Sequence, residues 1–109
     1  MESILTSIKK ILGIDEDYEQ FDPDIIMHIN STFSILKQLG VGPAEGFYIT
    51  DESAIWSDFL EDRFDIEMVK TYMGQRVKVM FDPPVSSAHL ESLNRQIAEF
   101  EWRLNVAVD

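Results

Sequence analysis

The sequence predicts a mainly α fold, a small bundle of four to five helices with one short β-hairpin. Three features carry this expectation. Apolar residues recur at helical spacing in separate stretches, Gly, Pro and capping residues punctuate those stretches, and two short β-prone runs flank a polar turn. The 109 residues suit one domain spanning 1–109, and a chain of this size buries roughly two-thirds of its unfolded surface. Its 7 Phe, 3 Tyr and 2 Trp, with 45% hydrophobic residues, argue for a folded core and against disorder.

The elements follow in order. "ESILTSIKKILG" places Ile4, Leu5, Ile8, Ile11 and Leu12 on one stripe and ends at Gly13, predicting a helix over 2–12. "IDEDYEQFDPD" carries six acids among residues 15–24 and no base, an acidic loop. Asp22 as N-cap and Pro23 at the first helical position open a second helix over 23–39. Its face is Ile25, Ile26, Ile29, Phe33, Leu36 and Leu39, and Gly40 stops it. After the turn-rich "GVGPAEG", the runs 47–49 and 54–56 around "TDES" predict the hairpin. "SDFLED" reads as one helical turn capped by Ser57. Asp65 caps a helix over 65–81, stopped before Pro83-Pro84. Its stripe is Ile66, Val69, Met73, Val77 and Met80, with Met68, Tyr72 and Val79 on the adjoining flank. A helix apolar over more than half its circumference is either central in a bundle or touches another chain. Ser86 or Ser87 opens the last helix, 87–104.

Chemistry is nearly absent. With no cysteine, neither a disulfide nor a thiolate site is possible. The alternating acids of "DEDYE" resemble a calcium loop, but Gln20 stands where that loop needs Gly and Ile26 where it needs a bidentate Glu. His28 and His89 lie far apart in sequence and read as residues at the edges of amphipathic helices. No nucleophile elbow, P-loop or dinucleotide fingerprint occurs. The sequence therefore predicts no enzyme, no cofactor and no metal. It also predicts a protein that stays soluble where it is made, without a signal peptide or membrane span. The balance of 9 Lys plus Arg against 20 Asp plus Glu, net -11, disfavours binding to nucleic-acid phosphates.

Binding remains, and the last helix is the place to look for it. At about 100° per residue, Leu90, Leu93, Ile97, Phe100 and Leu104 share an arc of about 80°, with Trp102 about 160° from its centre. Trp102 either lies on the surface, is covered by the first helix or the hairpin, or anchors a contact with a second chain. Arg103 beside it suits a partner carboxylate. "NVAVD" then reads as an extended tail in which Val106 and Val108 alternate, a form that adds onto a partner's backbone. Met27 and the Met68/Tyr72/Val79 flank are further apolar residues outside the main stripes, hence interface candidates.

Four segments are more specific: "FD(x)DIIMHIN" at 21–30, "LGVGP" at 39–43, "VKxMFDPP" at 77–84 and "QIxExEWRLN" at 96–105. Their order resembles the small head–tail connector proteins of tailed bacteriophages and prophages, also called adaptor or head-completion proteins, along nearly the whole chain. The resemblance implies a helical bundle assembling into a homo-oligomeric ring, twelvefold, under the portal protein. Such a ring extends the DNA channel without binding DNA specifically and docks the stopper or tail-completion protein. It implies a virion protein made in the host bacterial cytoplasm. A ring needs two different lateral faces, which would use the off-stripe residues, and an acidic channel wall would not adhere to DNA. The competing expectation is a small acidic DNA mimic that occupies the DNA site of a host enzyme, its acids laid out in rows at phosphate spacing.

Overall fold

The computed structural model describes residues 2–60 and 66–108. Within them the chain forms α1 (Ile4–Leu12), α2 (Asp22–Gln38), α3 (Trp56–Phe59), α4 (Ile66–Phe81) and α5 (Ser87–Val108). The mainly helical expectation holds.

The central element is α4, which packs against α1, α2 and α5. Its Val69, Tyr72, Met73 and Val77 are all fully buried, because three neighbours cover a helix that is apolar over most of its circumference. That settles the choice left open by its pattern: the helix is central. α5 lies antiparallel to it, with Tyr72 Oη donating to Glu101 Oε2 at 2.7 Å and Gln75 Nε2 donating to Gln96 Oε1 at 2.8 Å. α2 is also antiparallel to α4, since Phe21 at its start meets Phe81 at the end of α4. At the other end of α2, Asn105 Nδ2 of α5 donates to the Leu39 carbonyl at 3.4 Å. The three long helices thus define two ends of the molecule, separated along α2 by about 25 Å at 1.5 Å per residue.

α1 lies across this layer. The Ser3 hydroxyl caps it by accepting from the Thr6 amide, and Gly13, at φ 78°, ends it. Ile4, Leu5 and Ile8 enter the core, while Ile11 stays half exposed and rests over Gly74 of α4. A Cβ at Gly74 would stand 2.9 Å from two carbons of Ile11, so glycine lets the two helices approach. α2 starts one residue earlier than expected. Phe21 occupies the cap position, with no side-chain cap bond, and Asp22 is instead drawn to Lys9.

The expected hairpin is absent, and the reason is that its two arms pair elsewhere. The Asn30 side chain on α2 accepts from the Ile49 amide at 2.8 Å and donates to the Ile49 carbonyl at 2.9 Å. The second arm bonds to the start of the chain. Ile4 N donates to Ala54 O at 3.0 Å, and Ser3 forms an isolated antiparallel bridge with Ile55. Between the arms, the Asp51 carboxylate accepts from the Ser53 amide and hydroxyl, which holds its pKa below the usual value. The "TDES" turn is real, but no sheet grows from it. Ser57 is not a cap either: Ile55 precedes α3, and Asp58 accepts from its amide at 3.0 Å. The expected Asp65 cap lies outside the described residues.

This segment closes the core at the Leu39 end. Phe33, Phe47 and Phe59 form an aromatic triangle with centroids 4.6–5.4 Å apart, and Gly42, at φ 94°, lies so close that a Cβ would run into the Phe59 ring. Trp56 is buried, its indole donating to Ser7 Oγ at 3.0 Å, and Ser7 Oγ donates to Ser3 O at 2.6 Å.

The last helix begins where expected, with Ser86 Oγ accepting from the His89 amide at 3.3 Å. It does not stop at Leu104. The expected extended tail is helical through Val108, for two physical reasons: no Gly or Pro interrupts 87–108, and buried Leu104 together with the Asn105–Leu39 bond pins the final turns.

Candidate functional site

The expected interface residues fall into separate environments. Tyr72 is no interface residue in this subunit: it is 0% exposed. Burial, and next its bond to Glu101, push its phenol pKa up from the ordinary 10.0; Arg76 Nη1 completes the group 3.6 Å from the same carboxylate. Met68 and Val79 are partly buried against the core. Met27, Trp102 and Val106 are exposed at 56%, 67% and 50%, and Arg103 is exposed with them. The side chain of Val108 lies outside the described residues.

Trp102 and Val106 belong to a longer feature. Residues 90, 94, 98, 102 and 106 form one ridge of α5 at four-residue spacing, Leu90, Asn94, Ala98, Trp102 and Val106. All but the half-buried Leu90 are exposed, whereas Leu93, Ile97 and Leu104 on the opposite side are in the core. Arg95 and Arg103 flank the ridge, paired one turn back with Glu91 at 3.6 Å and Glu99 at 3.4 Å. Such exposed pairs contribute under about 1 kcal/mol, so both guanidinium groups are free to exchange partners. Exposed Lys37 stands at the Leu39 end of α2, the end towards which Arg103 lies.

A second surface lies at the opposite end, and sequence reasoning missed it. Tyr18, Phe21, Phe81 and His28 form a chain of edge-to-face rings, with successive centroids 5.5, 5.3 and 6.4 Å apart. Tyr18 and Phe21 are exposed. His28, expected only as an edge residue, is the inner member of this chain. The rings come from three parts of the sequence, so no local pattern announces them. Around them stand exposed Asp15, Glu16, Asp17, Glu19 and Asp24.

Lys9 gives that acidic segment its shape. Its side chain is 1% exposed, and its ammonium donates to the carbonyls of Glu16 at 3.0 Å and Tyr18 at 2.7 Å and pairs with Asp22 Oδ1 at 2.8 Å. The loop therefore folds around a cation supplied by the chain itself. The available signal was a helix ending in Lys9 and Lys10 directly before six acids. At the chain start, Glu2 pairs with Lys70 at 2.8 Å; that bond is the main reason the Glu2 pKa lies below and the Lys70 pKa above its ordinary value.

A family profile described as "Phage connector protein" matches residues 4–109. The chain belongs to the phage connector protein family. Comparison with curated proteins and with solved structures returned no match. Membership makes this connector a structural protein of bacteriophage and a virion component that meets other head and tail proteins, in a family that is generally non-enzymatic. No described helix of the connector is long and apolar enough to cross a membrane. Of the four segments that carry the resemblance, 21–30 and 77–84 supply Phe21, His28 and Phe81, and 96–105 supplies Trp102 and Arg103. The connector's chemistry is that of surfaces: one end aromatic and anionic, the other apolar and bordered by cations.

Proposed function

We propose that this connector is a head–tail adaptor subunit that assembles in many copies into a ring under the portal protein. By family resemblance the ring is twelvefold, extends the DNA channel and offers the docking surface for a stopper or tail-completion protein. The observation that carries the reading is the presence of two unlike exposed surfaces, the acidic ring cluster at the Phe21 end of α2 and the α5 ridge whose exposed Trp102 and Val106 lie towards the Leu39 end. Closed rings use heterologous contacts, which require two different patches on each subunit. Met27, Trp102, Arg103, Val106 and Val108 then contact neighbours, and Met68 and Val79 contribute the area the core leaves uncovered. The net charge of -11 keeps DNA passing through the channel from adhering to its wall.

The acidic residues bear on the alternative. A DNA mimic needs carboxylates in rows, yet six of them gather within residues 15–24, in a loop whose backbone folds around Lys9, which favours the connector. Electron microscopy of the protein mixed with its own portal tests the reading. The expected image is a ring of extra density on the portal. A protein that stays monomeric or dimeric beside the portal, and instead displaces DNA from a host enzyme, would replace this reading with the mimic.

A further inference from the structure

Resting on the ring reading, we propose which surfaces meet: the α5 ridge of one copy seats on the acidic aromatic end of the next copy. The ridge offers Ala98, Trp102 and Val106, with Arg95 and Arg103 beside them. The receiving end offers Tyr18, Phe21, His28 and Phe81, bordered by Asp15, Asp17, Glu19 and Asp24.

Charge complementarity selects a second copy as the occupant. In a chain of net -11, the outer side of α5 balances Arg95 and Arg103 against Glu91 and Glu99, and Lys37 stands at the Leu39 end of α2, towards which Arg103 lies. Residues 15–24 hold six acids and no base. Of these six, only Asp22 forms an ion pair among the described residues, with Lys9. The other five carboxylates of this segment thus stand without a cation among the described residues, and the outer face of α5 carries arginines whose present exposed partners hold them weakly. A docked copy would let Arg95 and Arg103 exchange Glu91 and Glu99 for those carboxylates.

Apolar matching points the same way. Trp102 is exposed on the ridge, and Tyr18 and Phe21 are exposed at the receiving end; aromatic rings gain from edge-to-face contact beyond the area they bury. Trp102 and Val106 lie towards the Leu39 end of α2 and the ring cluster lies at its Phe21 end, so Trp102 cannot cover those rings within one subunit. A head-to-tail contact covers one surface of each kind and leaves the growing assembly with one free surface of each kind, which a closing rotation between copies joins into a ring.

The chain has no cysteine, which makes a cross-linking test clean. Asp24→Cys and Arg103→Cys are introduced together, and each alone, into the full-length protein, which is assembled on its portal and treated with a short thiol-specific bismaleimide. Asp24 on the first turn of α2 and Arg103 near its last are about 20 Å apart in one subunit, too far for an internal link. The double variant should give a ladder of covalent multimers, and each single variant only monomers. Charge exchange is the second arm. Arg103→Glu and Asp24→Lys should each weaken assembly about tenfold, and the two combined should recover most of it. Rings that form normally yet give no ladder and no charge rescue would overturn the pairing while leaving the ring intact. The same rings detaching from the portal in Trp102→Ala would assign the ridge to the portal and also overturn it. A wild-type protein that forms no ring would remove the underlying reading as well.

Discussion

α4 and α5 are the two long helices of the C-terminal half, and each carries an aromatic residue off its main apolar stripe. On α4 it is Tyr72, fully buried with its hydroxyl bonded to Glu101; on α5 it is Trp102, two-thirds exposed. From the sequence the two look alike. What separates them is the number of neighbours: α4 has helices on three sides, α5 packs on one face only. An off-stripe aromatic therefore belongs to the core or to an interface according to where its helix lies, which periodicity alone does not reveal.

Substitutions should split along that line. The largest effect is expected for Tyr72→Ala, about 3–5 kcal/mol of lost stability in chemical denaturation, from a cavity at the centre of the molecule. A loss below about 1 kcal/mol would place α4 at a surface after all. The cations offer the same contrast. Lys9→Met leaves two carbonyls without a donor and Asp22 without its partner and should cost about 3 kcal/mol. Lys10→Met, at an exposed neighbouring position, should stay within about 0.5 kcal/mol. Equal effects at the two lysines would mean that the acidic loop is not built around Lys9.

A smaller loss, about 1 kcal/mol, is expected for Tyr72→Phe, which keeps the ring and deletes the bond to Glu101. Its pH dependence has a definite sign. The folded-state pKa is raised, so the stabilisation is fully present below the unfolded value near 10. It is lost as pH rises from there towards the folded pKa, because the unfolded state loses its proton first. The gap between wild type and Tyr72→Phe, measured by urea unfolding, should therefore narrow above pH 10. A gap that widens there would contradict the buried phenol.

Much of the fold is legible in the sequence where the determining contacts are local. The stripes of α1, α2 and α4, the cap at Ser86, and the stop at Gly13 all depend on residues within one or two turns. The hairpin does not form because residues 47–56 take their backbone partners from Asn30 and from Ser3 and Ile4, contacts of long sequence separation that no turn pattern encodes. The tail departs from its pattern because alternating Val106 and Val108 suit a strand, while packing of Leu104 and the Asn105 bond carry the helix onward. The α5 surface was visible as an aromatic opposite a stripe. Its counterpart was not, since Phe21, His28 and Phe81 converge only when α2 and α4 pack antiparallel.

A small change in stability is expected at the residue on which the assembly reading depends most. Trp102→Ala measured side by side for thermal unfolding and for ring formation on the portal is the most direct test. The subunit should unfold within about 3 °C of wild type, in keeping with a change inside about 0.5 kcal/mol, while ring assembly falls sharply. A large drop in melting temperature would return Trp102 to the subunit's own core, and full assembly at unchanged stability would remove α5 from the interface.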